Sequence, residues 1–264
     1  MAKSTGKEDN KNVAPSSEVA PYDWSKEAST GFEGTKAEDL GIPFLQIIQK
    51  GSPEFDETHK DHPKKRIEGV KPGMIINSLS RKIVYSGDKT KPLKFIPCYA
   101  EKLYPEFKTR DSGGGFVKMH RDPNILLRTE RNEKNKDILV SGSGEGNEII
   151  TTHYFYGFAQ IEGAWEKVII GMTSTQLKNG RRWLNMMQSI KINGVTPPMF
   201  SHSYNVMTDI EKNNEGSWYG WNFEVSLMLN PNIPQHLEMV QNARKVANDM
   251  AKSLALPAHS EQEE

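Results

Sequence analysis

The segment Ile149 to Gly171 constrains the fold more than any other stretch. Its first part, IITTHYFYGFAQI, is dense in β-branched and aromatic residues, which suit a pleated, half-buried surface. Gly163 and Ala164 turn the chain, and Trp165-Glu-Lys-Val-Ile-Ile-Gly171 returns, so the segment predicts a β-hairpin. A second hairpin is predicted from Met199–Ile210 and Ser217–Leu227, joined by Lys212-Asn-Asn-Glu-Gly216. In its second strand Tyr219, Trp221, Phe223, Val225 and Leu227 share one face, and Trp218, Gly220, Asn222 and Glu224 share the other.

Other elements are weaker. The apolar run Ile42–Ile48 is short enough to be strand or helix. Gly73–Leu79 and Leu93–Tyr99 read as strands, whereas residues 50–72, with Pro53, Pro63 and Pro72 among many charges, read as loop. Residues 108–148 hold Gly113-Gly-Gly115 and Ser141-Gly-Ser-Gly-Glu-Gly146. That is long for a passive connection and predicts a functional loop or an elaborated hairpin. Thr173–Ile190 has helical spacing with Leu177, Leu184 and Met187 on one stripe, although Gly180 costs about 1 kcal/mol relative to Ala. A last helix, His236–Leu254, carries Leu237, Val240, Val246 and Met250 as its stripe.

These elements predict a mainly β (α+β) fold, which an OB-like Greek-key barrel with an internal helix and a C-terminal helix accommodates. The expected organisation is a disordered N-terminal arm over residues 1–38, an OB-like domain over 39–230, a C-terminal helix over 231–254 and a short acidic tail over 255–264. No apolar run reaches the ~18 residues of a membrane span, and no apolar stretch follows the polar N-terminus to make a secretory signal. A cytoplasmic setting, in a host cell if the protein is phage-encoded, is the expectation.

The formal net charge of the 264 residues is zero, but its distribution is uneven. Residues 50–136 carry 20 basic and 12 acidic side chains, an excess of eight positive charges, while the last eleven residues carry only Glu261, Glu263 and Glu264. A basic block inside a neutral chain points to an anionic partner.

Catalytic constellations are missing from the pattern. His59 and His62 lie three apart in a charged loop without a third ligand nearby, and a zinc site needs three or four converging ligands. There is no phosphate-binding GxxxxGK[ST] and no strand-bound GxGxxG. No GxSxG elbow is present. Cys98, the single cysteine, sits between Pro97 and Tyr99 and reads as a small core side chain. We therefore expect no enzyme activity, no cofactor and no metal.

What remains is positive charge interleaved with rings. Tyr104, Phe107, Arg110, Phe116, Lys118, Arg121 and Arg128 fall in the basic block, and Lys178, Arg181, Arg182 and Trp183 fall on the internal helix. Lys and Arg neutralise phosphates and release counterions, and rings stack on unpaired bases at about 1–3 kcal/mol each without regard to sequence. On the Ile149 strand, Thr151, His153 and Phe155 face one way and Thr152, Tyr154 and Tyr156 the other; one row is core and the other is open to bases. Tyr154 and Tyr156 are the candidates there. Trp218, opposite the apolar face of its strand, is a better stacking platform than Trp221.

The order of short motifs resembles a family of tailed-phage single-stranded DNA-binding proteins. The residues concerned are Ile42-Pro-Phe-Leu-Gln-Ile-Ile-Gln49 followed by Ser52-Pro-Glu54, then Lys71-Pro-Gly73 leading into Asn77-Ser-Leu79, and the Leu93–Tyr99 strand. A Gly-rich loop before Phe116, Tyr156-Gly-Phe158, Thr175-Gln-Leu-Lys178 through Arg182 to Leu184, and Pro198-Met-Phe200 with the closing aromatic hairpin complete it. The resemblance spans residues 40–227. It implies an OB-like fold and non-catalytic binding and protection of single-stranded DNA in phage replication, recombination or repair. Proteins of replication, recombination or transcription would be the partners, and self-association is left open. Acidic C-terminal tails are common among single-strand binders; Leu254–Glu264 has only three acids and no terminal aromatic. The alternatives are a strand-annealing recombination protein and a phage interaction protein that acts on a host factor without touching DNA.

Overall fold

In the computed structural model the chain divides into two units, Met1–Asp39 and Leu40–Glu264. The residues described are 41–214 and 216–252, without the side chain of Arg110. The expected N-terminal arm and acidic tail lie outside them.

Among the described residues, twelve strands and three α-helices follow one another along the second unit. β1 (Phe44–Ile47) precedes a loop carrying the one-turn α1 (His62–Lys65), then β2 (Ile75–Asn77), β3 (Ile83–Tyr85) and the 15-residue β4 (Leu93–Phe107). Residues 108–151 form β5 (Phe116–His120), β6 (Thr129–Arg131), β7 (Asp137–Leu139) and β8 (Glu148–Ile149), with two 3-10 turns between them. The two expected hairpins are present as β9 (Thr152–Ile161) with β10 (Ala164–Thr173), and β11 (His202–Asn213) with β12 (Gly216–Met228). Between them runs α2 (Leu177–Ser189), and α3 (Pro234–Ala251) follows β12.

The first hairpin turns one residue earlier than expected, at Glu162 (φ 51) and Gly163 (φ 87). Two successive positive φ values make the tight turn whose twist matches that of the flanking strands.

The mainly β class with an internal and a terminal helix is what the structure has. The closed ladder of a Greek-key barrel is not: among the described residues the strands form one open, mixed sheet, in the order β3-β2-β1-β10-β9-β4-β8-β7-β6, with β5 and the β11–β12 hairpin branching from β4. β1 and β10 pair in parallel and the other pairs are antiparallel. The reason lies in β4, which outruns any single partner. Its first part pairs with β9 and β11, and its last four residues pair with β5 and β8, starting a small second sheet.

The curl of the sheet nevertheless brings β12 back toward β1 and β2. Side chains bridge the gap. The Gln49 amide donates to the Tyr219 carbonyl and accepts from the Tyr219 N–H, both at 2.8 Å, and Thr208 Oγ1 donates to the Gly73 carbonyl at 2.6 Å.

Both sheet faces are covered, because each carries its own apolar set. On the concave face α2 buries Trp183, which is 0% exposed and stacked on Phe223 at 3.8 Å between centroids. Phe155 lies 4.6 Å away and Tyr204 5.6 Å away. The buried stripe of α2 is Gly180, Trp183 and Met187 rather than Leu177, Leu184 and Met187. Gly180 explains the rotation: a Cβ there would sit 3.2 Å from both His153 Nδ1 and Met172 Sδ. The glycine that weakens the isolated helix lets it approach β9 and β10.

On the convex face α3 lays Val240, Ala243, Val246 and Met250 over Ile96, Cys98, Tyr154, Tyr156 and Ile169. The row of β9 expected to be open to bases is therefore core as well. Burial pushes the Cys98 thiol up and leaves it un-ionised.

Candidate nucleic-acid interface

A cleft of about 590 Å³ opens where β1, the end of β4, the β9–β10 pair and β12 approach each other. Rings make much of its wall: Phe44, Phe107, Tyr154, Tyr219 and Trp221. Gln46, Ser78, Thr152 and Thr173 add neutral polar groups, and among the described residues no charged side chain lines it. The local sequence explains the placement. Phe44 projects from β1 beside Tyr154, 6.0 Å between centroids. Tyr219 is held at the rim because Gln49 takes both its backbone groups. Gln176 accepts from the Trp221 N–H at 2.9 Å, fixing β12 against the entry to α2.

Phe107 and Ile150 also line a second hollow, about 300 Å³, which continues the cleft. Its character is different. Lys60, Lys108 and Lys136 converge there from three separate loops, together with His59 and the backbone of Gly113-Gly-Gly115, all three at positive φ. Asp61 and Glu148 are the acids present, and Lys136 donates to Glu148 at 2.6 Å. A third hollow of about 450 Å³ shares Lys136 and Glu148 and adds Lys134 and Asn132. An uncharged ring-lined cleft thus runs out onto a lysine shelf.

A second pair of cations sits at the same end of β9, on the side facing α2. Lys102 is opposite His153 in the β4–β9 register, and Arg181 is one residue beyond Gly180 on α2. Burial first, then the charges of Lys102 and Arg181, hold the His153 imidazole below its ordinary value.

Several residues named from the sequence lie elsewhere. Tyr104, Tyr156 and Trp183 are 6%, 1% and 0% exposed, which withdraws their faces from any base. Tyr154 is equally buried by α3, although its edge reaches the cleft wall. The Tyr156 hydroxyl donates to Glu101 at 3.0 Å, and burial pushes both it and the Tyr154 hydroxyl up. Of the aromatic candidates, Phe107 is in the cleft, with the exposed Phe116 packed edge-on against it at 5.7 Å. Trp218 is half-buried on the strand face beside Glu211.

The cations are largely engaged. Lys118 and His120 reach Glu106 at 3.9 and 2.6 Å. Arg121 pairs with Glu101, and Lys178 pairs with Glu211 at 2.9 Å. Arg128 donates to the Ser141 and Ser143 carbonyls and so pins the Gly-rich loop. Arg181 and Arg182 are exposed, with no ion pair among the described residues. Arg110 begins a 3-10 turn, and its side chain lies outside the described residues.

The residues missed are Lys60, Lys136, Tyr219 and Trp221. Tyr219 and Trp221 were visible as an aromatic face, but nothing in the alternation says that the face runs past the core to a cleft rim. The lysines are separated by 48 and 28 positions, and only the folded chain brings them together.

Glu106 organises the outgrowth around the shelf. It is buried, accepts from His120 and from Asn147 at 2.6 Å each, and ties β4 to β5 and to the Gly-rich loop. Burial raises its pKa, but the bonds from Asn147 and His120 and the Lys118 charge outweigh that and leave it below the ordinary carboxylate range.

His59 and His62 serve the loop fold: His59 Nδ1 accepts from the Asp61 N–H at 3.2 Å, and His62 Nδ1 lies 2.9 Å from the Pro53 carbonyl. Among the described residues no group of three His, Cys, Asp or Glu side chains converges as metal ligands, and no helix is long and apolar enough to cross a membrane.

Comparison with known proteins gives one family. No curated protein matches the chain, and no solved structure matches it. The family described as Pam3 phage gp34-like protein matches residues 10–253, nearly the whole length. The chain belongs to this bacteriophage family, the Pam3 phage gp34-like proteins.

Proposed function

We propose that the protein binds single-stranded DNA without catalysis, in phage DNA replication or recombination. Unpaired bases occupy the ring-lined cleft, and the phosphates that follow run over the lysine shelf. The observation that carries this reading is the continuity of the two: Phe107 and Ile150 belong to both hollows. Rings without charge suit bases, which stack on any aromatic face. Lysines beside a glycine turn suit phosphates. A duplex offers no bases to such a cleft, so single strands are preferred. The resemblance to tailed-phage single-strand binders supports the same reading.

The test is a fluorescence titration against an unstructured oligonucleotide, its duplex and the matching RNA, repeated across salt concentrations. The single strand binds tightest, and log K falls with log salt by about 0.7 per phosphate neutralised. Equal affinity for the duplex, or a flat salt response, overturns the reading.

A second reading draws on the ion pairs that engage Lys118, Arg121 and Lys178. With those cations neutralised, the uncharged cleft also fits an apolar segment of a host protein. Capture of such a partner by protein that retains no oligonucleotide favours it.

A further inference from the structure

A strand with one unpaired edge exposes backbone N–H and C=O groups that invite another strand, and natural proteins blunt such edges. Three of the four edge strands here are blunted. β3, β5 and β6 are three to five residues long, and β5 and β6 carry Lys118 and the Glu130-Arg131 pair. β12 is different. It has 13 residues and pairs with β11 alone.

The edge of β12 away from β11 has two halves. In the first, Gln49 satisfies both backbone groups of Tyr219, and Gln176 accepts from the Trp221 N–H. Beyond Trp221 the alternation of an antiparallel strand turns the backbone groups of Phe223 and Val225 outward, and no hydrogen bond among the described residues reaches them on that side. The side chains lose their cover over the same stretch. Trp221 and Phe223 are each 6% exposed, whereas Val225, Leu227 and Met228 are 46%, 50% and 52% exposed. The core-facing row of β12 therefore continues past the core at Val225 and, beyond the register shift, at Met228, beside an edge that lacks a partner.

We propose that the protein dimerises through this edge, β12 of one copy running antiparallel to β12 of a second copy about a two-fold axis at Val225. A two-fold contact requires a self-complementary surface, and the charges here meet that condition. Lys94 Nζ donates to Ser226 Oγ at 2.8 Å. Ser226 is the extra residue of a bulge in the β11–β12 register, and Glu224 is exposed two positions before it. Pairing about Val225 sets Glu224 of each copy across from Ser226 of the other, next to that copy's Lys94 ammonium. Val225 then covers its counterpart. The edge asks for an extended backbone, and its own copy supplies one with the matching charges.

The test uses the full chain without nucleic acid, so its outcome is independent of the DNA-binding reading. Sedimentation equilibrium gives twice the 29.8 kDa chain mass in the micromolar range. Glu224→Lys raises the dimer dissociation constant by about tenfold or more, and adding Lys94→Glu restores it. Val225→Cys cross-links the dimer on oxidation, while Ile210→Cys, more exposed but on β11, does not; native Cys98 is buried and silent. Circular dichroism confirms that each variant folds, which the exposure of these positions favours. A wild-type monomer throughout that range overturns the proposal and leaves the edge to a strand of another protein. A dimer indifferent to Glu224→Lys and to Val225→Cys overturns it too, because the copies then meet elsewhere.

Discussion

The core under α2 and the outgrowth around the lysine shelf are built on opposite plans. Under α2, Trp183, Phe155, Phe223 and Tyr204 pack ring on ring, and no ionised group is needed to hold them. Around the shelf, β5 to β8 are two to five residues long. β7 and β8 are joined by a glycine-rich loop, and the group is fastened by one buried carboxylate, Glu106, and by ion pairs. The difference teaches where stability and function separate. The packed region resists change, and the polar region presents cations to whatever arrives.

The largest effect falls on the packed side. Trp183→Ala removes a fully buried indole from four aromatic neighbours and costs about 3–5 kcal/mol, read as a drop in the urea midpoint with the transition still cooperative. A loss under about 1 kcal/mol means that the ring stack does not hold the fold.

Next is Glu106→Ala, which leaves Asn147 and His120 without their acceptor and costs about 1–3 kcal/mol. Its signature is local. Amide exchange accelerates in β5 and β8 while β9 and β10 keep their protection; uniform acceleration would abolish the distinction between the two regions.

Acid separates the regions by the order in which they loosen. His153, under α2, has its pKa lowered in the folded state by burial and by Lys102 and Arg181. Its neutral form is the one that fits, so its contribution is whole above its ordinary value of 6.5 and is lost as pH falls from there toward the folded value. Glu106 is lowered from an ordinary 4.5. Its contribution is whole above that value and disappears only as pH falls through the folded one. A titration followed by exchange therefore shows the α2 face weakening first and the outgrowth later. The reverse order contradicts the assignment of these two groups.

Smaller effects concern binding. Replacing Lys60, Lys108 and Lys136 together by Ala reduces the slope of log K against log salt by about 2 and leaves the urea midpoint in place. Replacing Arg181 and Arg182, which do not line the cleft, lowers the slope by at most about 1.4. If the arginines matter more than the lysines, the strand runs along α2 instead of the shelf.

How much of this was legible in the sequence follows from the same contrast. Both hairpins and the C-terminal helix are written in local periodicity, and the structure has them. The stripe of α2 was displaced because helical spacing alone does not report that Gly180 must touch β9. Leu237, expected on the stripe of α3, is exposed because the helix starts at Pro234 and its buried positions begin at Val240. The barrel was not legible either: strand count and length do not reveal that β4 changes partners along its course. Tyr154 and Tyr156 were offered to bases because alternation gives two faces without saying that a helix covers the second. The positive excess of residues 50–136 was real but overstated as a ligand signal. The excess already subtracts acids inside the block, but Asp137, Glu148, Glu162 and Asp209, from outside it, pair with Arg131, Lys136, Lys82 and Lys89 in the folded chain.

The Gln49 bridge has a consequence for how a ligand enters. On its other side β12 is fastened to β11 by a full ladder, but here a single amide stands in for a strand. Parting it breaks two hydrogen bonds, about 1–3 kcal/mol in net terms, and disturbs no strand register. Tyr219 and Gln49 both border the cleft, so on the proposed reading its lip is the part a bulky guest would displace first, while the sheet behind it keeps its pairing.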